Sequence, residues 1–345
     1  LEVRTATLEK QQFSTTAKLS GEVIFAVSDT FGDAATRIGT GDRVITSGTP
    51  ARPVVRDDNT ETIFTNRARI FIDASFSGKD QLRMRLAAAN TTPFSGAFTG
   101  TNMTRLGFDG GSGANGANDN SVRIDKLWYR FPVGDNLRIQ VDAVNGEFFS
   151  GLVSPLSGPF ASDSLGTISR YGRFNPLTLR AGNPSGTSGG GAGFSFAYRF
   201  SSAFRLEGGF LSDASSFDPG SKNGLFDGSY AAIGQLVITP TKGLDIGLSY
   251  VRSYYPGGEV NLTASTGSAY AQRPFVANAT ASDTFGASVQ WYPTSSLLLG
   301  GWFGWTEAYQ RSNNNEATII NWMAFVGFPD LLKKGKFGGI MGGMP

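Results

Sequence analysis

The chain has 345 residues, and its 30 basic and 28 acidic side chains leave a net charge of +2, which is too balanced for a nucleic-acid-binding protein. Cysteine and histidine are both absent, which excludes a thiol nucleophile, a disulfide framework, a Ser-His-Asp triad and the usual zinc ligands. No run of 18 apolar residues occurs, so a membrane-spanning helix is also excluded. We predict that the chain is not an enzyme and holds no cofactor and no metal.

The first twelve residues differ in pattern from the rest of the chain. LEVRTATLEKQQ places Leu1 and Leu8 seven positions apart with charged residues between them. This spacing predicts the end of a helical or coiled-coil linker over residues 1–12. Residues 13–345 are predicted to form a separate β domain.

From Leu19 onward the sequence alternates with a period of two, the pattern of β-strands. Each apolar stretch is about ten residues long, the length that a tilted strand needs to cross a bilayer. Strands are predicted at 19–29, 62–76, 81–89, 121–131, 137–145, 193–200, 204–212, 229–238, 244–254, 283–292, 297–306 and 317–328, with a thirteenth beginning at Lys336.

The connections between these strands alternate strictly between short and long. The short turns are 77–80, 132–136, 201–203, 239–243, 293–296 and 329–336; the long loops are 29–61, 90–120, 146–192, 213–228, 255–282 and 307–316. Outer-membrane barrels have short turns at one end and long loops at the other, whereas a soluble sandwich has no reason to do so. We predict an all-β, transmembrane antiparallel barrel. A soluble all-β binding or enzyme module is the alternative from another class.

The stretch QLRMRLAAAN (81–90) indicates which face of a strand meets lipid. Leu82, Met84 and Leu86 share one parity, whereas Arg83 and Arg85 share the other. A charged residue on the lipid face costs about 2–4 kcal/mol at the midplane, so the arginines are predicted to face a water-filled lumen. The same reasoning gives the predicted pore-lining set Arg67, Arg69, Asp73, Arg83, Arg85, Arg138 and Asp142. Strand 121–131 has no clear parity, and its facing stays open.

Aromatic residues cluster near the strand ends, as in the interfacial girdles of membrane barrels. The residues in question are Trp128, Tyr129, Phe131, Tyr198, Phe200, Tyr250, Trp291, Tyr292, Phe325 and Phe328. They are predicted to lie at the two membrane interfaces.

The third long loop is rich in charge, proline and aromatic residues. Its charged residues include Glu147, Asp163, Arg170, Arg173 and Arg180. We predict that it folds into the barrel and forms a constriction loop; a plain external loop is the alternative.

Four segments resemble cyanobacterial outer-membrane porins, which are related to carbohydrate-selective porins. They are LEKQQFSTTAKLSGEVIFAVSDTFGD (8–33), DKLWYRFP (125–132), GLFDGSYAA (224–232) and NWMAFVGFPDLL (321–332). The resemblance implies a homotrimeric barrel of about sixteen strands that follows a coiled coil and an S-layer-homology domain bound to a cell-wall polymer. Members of that family are commonly labelled iron uptake porins. Because only 12–13 strands are visible, we expect the last strands to be missing from this chain.

The sequence therefore predicts an outer-membrane porin for passive diffusion of small hydrophilic solutes and inorganic ions. The alternative within transport is a barrel selective for iron species or sugars, in which an aromatic such as Trp302 could stack on a sugar ring. The predicted partners are the lipid bilayer, two further copies of the chain and the cell-wall polymer.

Overall fold

The protein is described by a computed structural model over residues 17–31, 34–36, 54–56, 60–99, 101–111, 119–181, 191–258 and 260–345. These residues form an all-β fold dominated by one large antiparallel sheet. No helix among them has the length and hydropathy needed to cross a membrane. The helical linker predicted at residues 1–12 lies outside the described residues.

Sixteen strands occur in the described residues. They are β1 (Lys18–Ser28), β2 (Ala34–Thr36), β3 (Val54–Arg56), β4 (Ile63–Ala74), β5 (Gln81–Thr91), β6 (Gly110–Gly111), β7 (Arg123–Val133), β8 (Leu137–Val144), β9 (Ala192–Arg199), β10 (Phe204–Ser212), β11 (Tyr230–Thr241), β12 (Leu244–Tyr255), β13 (Thr280–Thr294), β14 (Leu297–Gln310), β15 (Glu316–Pro329) and β16 (Phe337–Met344). Short helical turns occur at Gly96–Thr99, Phe148–Ser150, Gly158–Ala161, Tyr171–Arg173, Pro176–Leu179, Ala214–Phe217, Gly224–Asp227 and Ala269–Gln272.

Thirteen long strands follow one another in the sheet in the order β1-β4-β5-β7-β8-β9-β10-β11-β12-β13-β14-β15-β16. Of the three short strands, β6 pairs with β5, and β2 and β3 pair with each other. Each predicted strand is confirmed, including the thirteenth, β16. The alternation of tight turns and long loops is confirmed except at the last predicted long loop, where only residues 311–315 separate β14 from β15.

The sheet curls into an incomplete cylinder. Ten steps of about 4.8 Å separate β4 from β15 along the sheet, so a flat sheet would hold them about 48 Å apart. However, Asp163 is 2.9 Å from Arg67 of β4, and the Phe160 ring lies 5.0 Å from that of Phe325 on β15. Because three residues span about 10 Å at most, β4 and β15 must face each other across the interior. No ladder joins β1 to β16 within the described residues.

The outer face of the cylinder is apolar and unpacked. On β1 the side chains of Val23, Phe25 and Val27 are exposed, and Phe25 is 71% accessible. Its ring stacks on that of Phe64 from β4 at a centroid distance of 6.4 Å. Exposed apolar side chains in register across a sheet are expected where the sheet meets lipid.

Three members of the predicted aromatic girdle, Trp128, Tyr292 and Phe325, are wrongly assigned. Tyr292 packs against the interior cluster that contains Trp302. Trp128 is only 4% accessible and Phe325 only 3%, because both point into the cylinder. By contrast, Tyr129 points outward and packs against Phe76 and Phe131 beside the turn that joins β4 to β5. Nearness to a strand end locates a side chain along the strand but does not say which face it occupies.

A β-bulge explains why strand 121–131 shows no clear parity. Arg85 of β5 pairs with Lys126, but its neighbour Leu86 pairs with Ile124, so Asp125 is the extra residue on β7. A bulge of this kind shifts the alternation by one residue. Asp125 and Lys126 are consequently both buried on the inner side.

Candidate functional site

The interior of the cylinder is crossed by residues 145–181, which we call the inward segment. Near its start, the Lys126 ammonium donates to the carbonyl of Asn145 (2.7 Å), to Glu147 (2.8 Å) and to Ser150 (3.0 Å). Farther on, the Ser154 backbone N–H and hydroxyl both donate to Glu207 of β10 at 2.7 Å. These contacts turn the segment inward as soon as it leaves β8.

An aromatic cluster anchors the middle of the inward segment to the far wall. Phe160 packs against Phe325 and Phe337 at centroid distances of 5.0 and 4.8 Å. The Tyr171 hydroxyl lies 2.6 Å from the carbonyl oxygens of Trp322 and Met344. The segment therefore spans the interior from β7 to β16.

A third anchor lies where the segment turns into the helical turn Pro176–Leu179. The Asn175 amide caps this turn through Leu177 N–H (3.0 Å), accepts from Asn321 (3.0 Å) and donates to the carbonyl of Phe303 (3.2 Å). Gly304 makes this approach possible, because a Cβ there would lie 2.9 Å from the Asn175 amide nitrogen. The segment is thus held at several separate points of the wall.

A polar cavity of about 130 Å³, which we call the chamber, lies between β4, β5, β7 and the inward segment. Its charged lining residues are Arg67, Arg69, Arg85, Arg105, Asp109, Arg123, Asp125, Lys126, Glu147, Asp163, Arg170, Arg173 and Arg180. Counted over the described residues, nine of these are basic and four are acidic. Ala87 and Ala89 of β5 leave room for the guanidinium groups.

Ion pairs connect the inward segment to the wall of the chamber. Asp163 accepts from Arg67 at 2.9 Å and from Arg69 at 2.7 Å. On the same wall Asp125 pairs with Arg85 at 2.5 Å, and Glu22 of β1 pairs with Arg67 at 3.1 Å. The acids therefore position the arginines, but they are too few to neutralise them.

The carboxylates on the inward segment stay ionised well below neutral pH. Burial alone would raise the pKa of Asp163, but the positive charges of Arg69, Arg173 and Arg67 outweigh it and hold that pKa well below its usual range. Burial likewise opposes ionisation of Glu147, and Lys126 followed by Arg180 overcomes it and lowers the pKa. Neither ion-paired carboxylate is thus suited to act as a proton donor near neutral pH.

The chamber contains part of the predicted pore-lining set and all of the predicted loop residues. Arg67, Arg69 and Arg85 line it, as do Glu147, Asp163, Arg170, Arg173 and Arg180. The structure therefore brings charged residues of β4, β5 and the inward segment together around one cavity.

The other predicted pore-lining residues lie on the inner face outside the chamber. The Arg83 guanidinium donates two hydrogen bonds, of 2.7 and 2.8 Å, to the Asp73 carboxylate. Exposed Arg138 borders two wider cavities of about 420 and 500 Å³ near the short turns. Asp142 is buried and accepts from Gln140 at 2.9 Å.

Trp302 does not offer a free stacking surface to a solute. It is 4% accessible and lies beneath Tyr171, with the two rings 6.0 Å apart. The sequence places this tryptophan on the inner face correctly but gives no sign that the inward segment covers it.

Six charged residues of the chamber or its ion pairs were missed from the sequence. They are Glu22, Arg105, Asp109, Arg123, Asp125 and Lys126, of which Glu22 reaches the chamber through its ion pairs. Asp125 and Lys126 were missed because the bulge breaks the alternation of inward and outward side chains on β7. Arg105 and Asp109 form an i,i+4 pair at 2.7 Å within the second long loop, and that spacing was the one available signal.

Comparisons with known proteins place the whole chain in one family. Residues 1–345 match the carbohydrate-selective porins of the OprB family. An uncharacterized protein of Synechocystis sp. is 35% identical over 366 residues, covering 100% of this chain and 60% of the relative. An uncharacterized protein of Nostoc sp. is 31% identical and covers 99% of this chain and 57% of the relative. The chain thus spans about 60% of the length of these relatives.

Solved porins show a distant likeness. The trimer form of OmpT from Vibrio cholerae aligns with 90% of this chain and 73% of its own, at 9% identity and a TM-score of 0.45. An anion-selective porin from Comamonas acidovorans aligns with 95% of each chain, at 10% identity and a TM-score of 0.33. These likenesses add nothing to what the fold of the chain itself shows.

Proposed function

Because this chain belongs to the carbohydrate-selective porin family, OprB, we propose that it forms a water-filled channel in an outer membrane. Small hydrophilic solutes and inorganic ions diffuse through it passively. Members of such a family are channels rather than enzymes, so neither energy coupling nor chemistry is required. Family membership and the apolar outer face of the sheet argue against the soluble binding or enzyme module.

The position of the inward segment is the observation that carries the proposal. The segment crosses the interior, and the chamber beside it has a volume of about 130 Å³, against about 420 and 500 Å³ for the two cavities near the short turns. Phe149 borders both the chamber and the 420 Å³ cavity, and Arg138 borders that cavity and the 500 Å³ one. We propose that this column of spaces is the permeation path and that the chamber sets the size limit.

The wall charges of the chamber give the proposed channel a preference for anions. Nine basic and four acidic side chains surround a narrow space, although the whole chain is nearly neutral. A narrow passage with low-dielectric walls focuses the field of its lining charges. Selectivity is therefore set locally, and it fades near 1 M salt, where the screening length is about 3 Å.

A reversal potential measured across a salt gradient in a planar bilayer tests this proposal. We expect the parent to favour anions at low salt and the Arg170→Ser, Arg173→Ser double variant to favour them less. The Lys333→Ser, Lys334→Ser double variant serves as the matched control, because it removes two positive charges from the exposed turn between β15 and β16, outside the chamber and both larger cavities. A cation-selective parent, or a double variant with unchanged selectivity and conductance, would overturn the assignment of the chamber to the pore.

The identity of the preferred solute is a separate proposal. The family description favours sugars among neutral solutes, and swelling rates of proteoliposomes in sugars of increasing size measure their passage. Because Trp302 is covered, we place sugar contacts on the hydrogen-bonding groups of the chamber instead. Passage of iron species stays a prediction from the sequence resemblance, and uptake of a chelated iron salt into the same vesicles would test it.

We also propose a homotrimer in a cyanobacterial outer membrane. The two relatives come from cyanobacteria, and the outer face of β1 presents Gly21, Val23 and Val27 as small or compact groups suited to packing against another copy. Mass measurement in mild detergent is expected to give three copies, and a purely monomeric result would contradict the trimer. Attachment to the cell-wall polymer stays a prediction from the resemblance.

A further inference from the structure

The positive charge of the chamber is not balanced by its own acids, and two donor nitrogens of Arg180 lack a hydrogen-bond partner. Arg180 is 5% accessible, and its Nε and Nη2 atoms have no hydrogen-bond partner among the described residues. A buried guanidinium nitrogen without an acceptor costs free energy, because water has been removed and nothing replaces it. Arg180 also lines the cavity. Its Nε and Nη2 atoms have almost no accessible surface, so a rotation of the side chain is needed to bring them to a ligand in that space.

Aromatic side chains contact two chamber arginines. The guanidinium carbons of Arg173 and Arg180 lie 4.9 and 5.0 Å from the centre of the Phe149 ring, and each lies 5.0 Å from Phe174. The two rings stack on each other at 4.3 Å. The rings attract the guanidinium charges but provide no hydrogen-bond acceptor for the unpartnered Nε and Nη2 of Arg180.

The second long loop contributes to the same chamber. The backbone N–H of Arg170 donates to the carbonyl of Arg105 at 3.0 Å, and the N–H of Gly107 donates to that of Ile168 at 2.6 Å. Asp109 holds the Arg105 side chain through two bonds of 3.0 and 2.7 Å. Burial, followed by the positive charges of Arg180 and Arg105, lowers the pKa of Arg170 well below its usual value. The structure thus holds like charges together at some cost.

We propose that the chamber is a binding site for a free tetrahedral oxyanion of charge near −2, such as inorganic phosphate or sulfate, held chiefly by the unpartnered edge of Arg180. Guanidinium groups match such anions because their N–H donors pair with two oxygens at once. A cavity of about 130 Å³ is large enough for an anion with water, since one water needs only about 10–15 Å³ on this measure. The proposed site rests on the proposed channel function, because the oxyanion would be a solute that binds transiently on the permeation path.

Binding of inorganic phosphate to the protein purified in detergent tests this proposal without requiring ion current. Titration calorimetry at constant ionic strength, with chloride replaced stepwise by phosphate, is expected to show saturable binding with about one site per chain. Arg180→Gln is expected to weaken that binding at least tenfold. Arg138→Gln is the matched control, because Arg138 lies on the inner face but outside the chamber and is expected to leave the affinity unchanged.

Arg180→Lys keeps the charge but loses the planar fork, and it is expected to bind phosphate with intermediate affinity. It also keeps the proposal testable if Arg180→Gln does not fold. Absence of saturable binding, or equal weakening by Arg138→Gln, would overturn the oxyanion site while leaving the channel proposal intact. Saturable phosphate binding by a protein that carries no current would instead support the site and defeat the channel proposal.

Discussion

The depth of β5 in the membrane gives a quantitative prediction for two substitutions on one face of one strand. Leu86 is the sixth of the eleven residues of β5 and pairs with Ile70 and Ile124, whose side chains are exposed on the outer face. Leu82, four residues away, pairs with Tyr129 beside the short turn. Leu86 thus lies mid-strand, and Leu82 lies level with the outward aromatic cluster.

The difference in cost follows from that spacing. A strand rises about 3.4 Å per residue and is tilted by about 40° from the membrane normal. The four residues between Leu86 and Leu82 therefore place Leu82 roughly 10 Å from the middle of the membrane, near the edge of an apolar band about 25 Å tall. Arginine costs about 2–4 kcal/mol at the midplane and about 0–1 near the interface. Leu86→Arg should therefore reduce folding in lipid more than Leu82→Arg by about 2–3 kcal/mol, which is roughly 30- to 150-fold in the equilibrium.

Urea titration of folding into lipid vesicles, followed by tryptophan fluorescence, measures both variants under the same conditions. Leu86→Ala, which removes the side chain without adding charge, separates loss of packing from burial of charge. Equal destabilisation by the two arginine variants, or a larger effect at Leu82, would refute the placement of both leucines on the lipid face with Leu86 at the middle of the membrane.

Three further predictions concern the inward segment. Asp163→Asn removes the acid that pairs with Arg67 and Arg69, so the anion preference at low salt should rise, and an unchanged reversal potential would argue against Asp163 as a wall charge. Phe160→Ala deletes a buried ring that packs on Phe325, and such a change typically lowers folding stability by about 3–5 kcal/mol. This part of the inward segment should therefore become sensitive to added protease. Resistance equal to that of the parent would show that the contact does not hold the segment in place. The pKa of Asp163 is lower in the folded protein than in the unfolded chain, where it is about 3.9. The ion pairs of Asp163 therefore contribute fully to folding stability above about pH 3.9, and this contribution is lost only as the pH falls through the lower pKa of the folded protein. The difference in anion selectivity between the parent and Asp163→Asn should therefore stay constant from pH 8 to pH 5, and a change of that difference within the range would be inconsistent with this ion pair.

The sheet was predictable because each strand repeats the same physical requirement. Lipid on one side and water or polar groups on the other impose a period of two, and the alternation of loop lengths sets the order of the strands. The parity argument placed Arg83 and Arg85 on the inner face from local sequence alone. It failed only at β7, where the bulge at Asp125 shifts the period by one residue.

The chamber could be predicted only in part, because its contacts connect residues far apart in the sequence. The charges of Asp163 and Arg180 were visible, and so was the unusual composition of the loop that carries them. The loop packs on the far wall through Phe160 and Tyr171, which contact residues of β15 and β16 that lie 151 to 173 positions later in the sequence. Nothing local in the sequence specifies such pairs, and for the same reason the sequence could not show that Tyr171 covers Trp302.

The absence of native cysteine allows the central claim to be tested with a single introduced thiol. Ser150 lines the chamber, so current through a Ser150→Cys channel in a planar bilayer should fall stepwise when a small, water-soluble, negatively charged thiol reagent is added. The same reagent should leave the current of Val23→Cys unchanged, because Val23 lies on the outer, lipid-facing side. An open Ser150→Cys channel whose current does not respond to complete modification of its thiol would contradict a permeation path through the chamber.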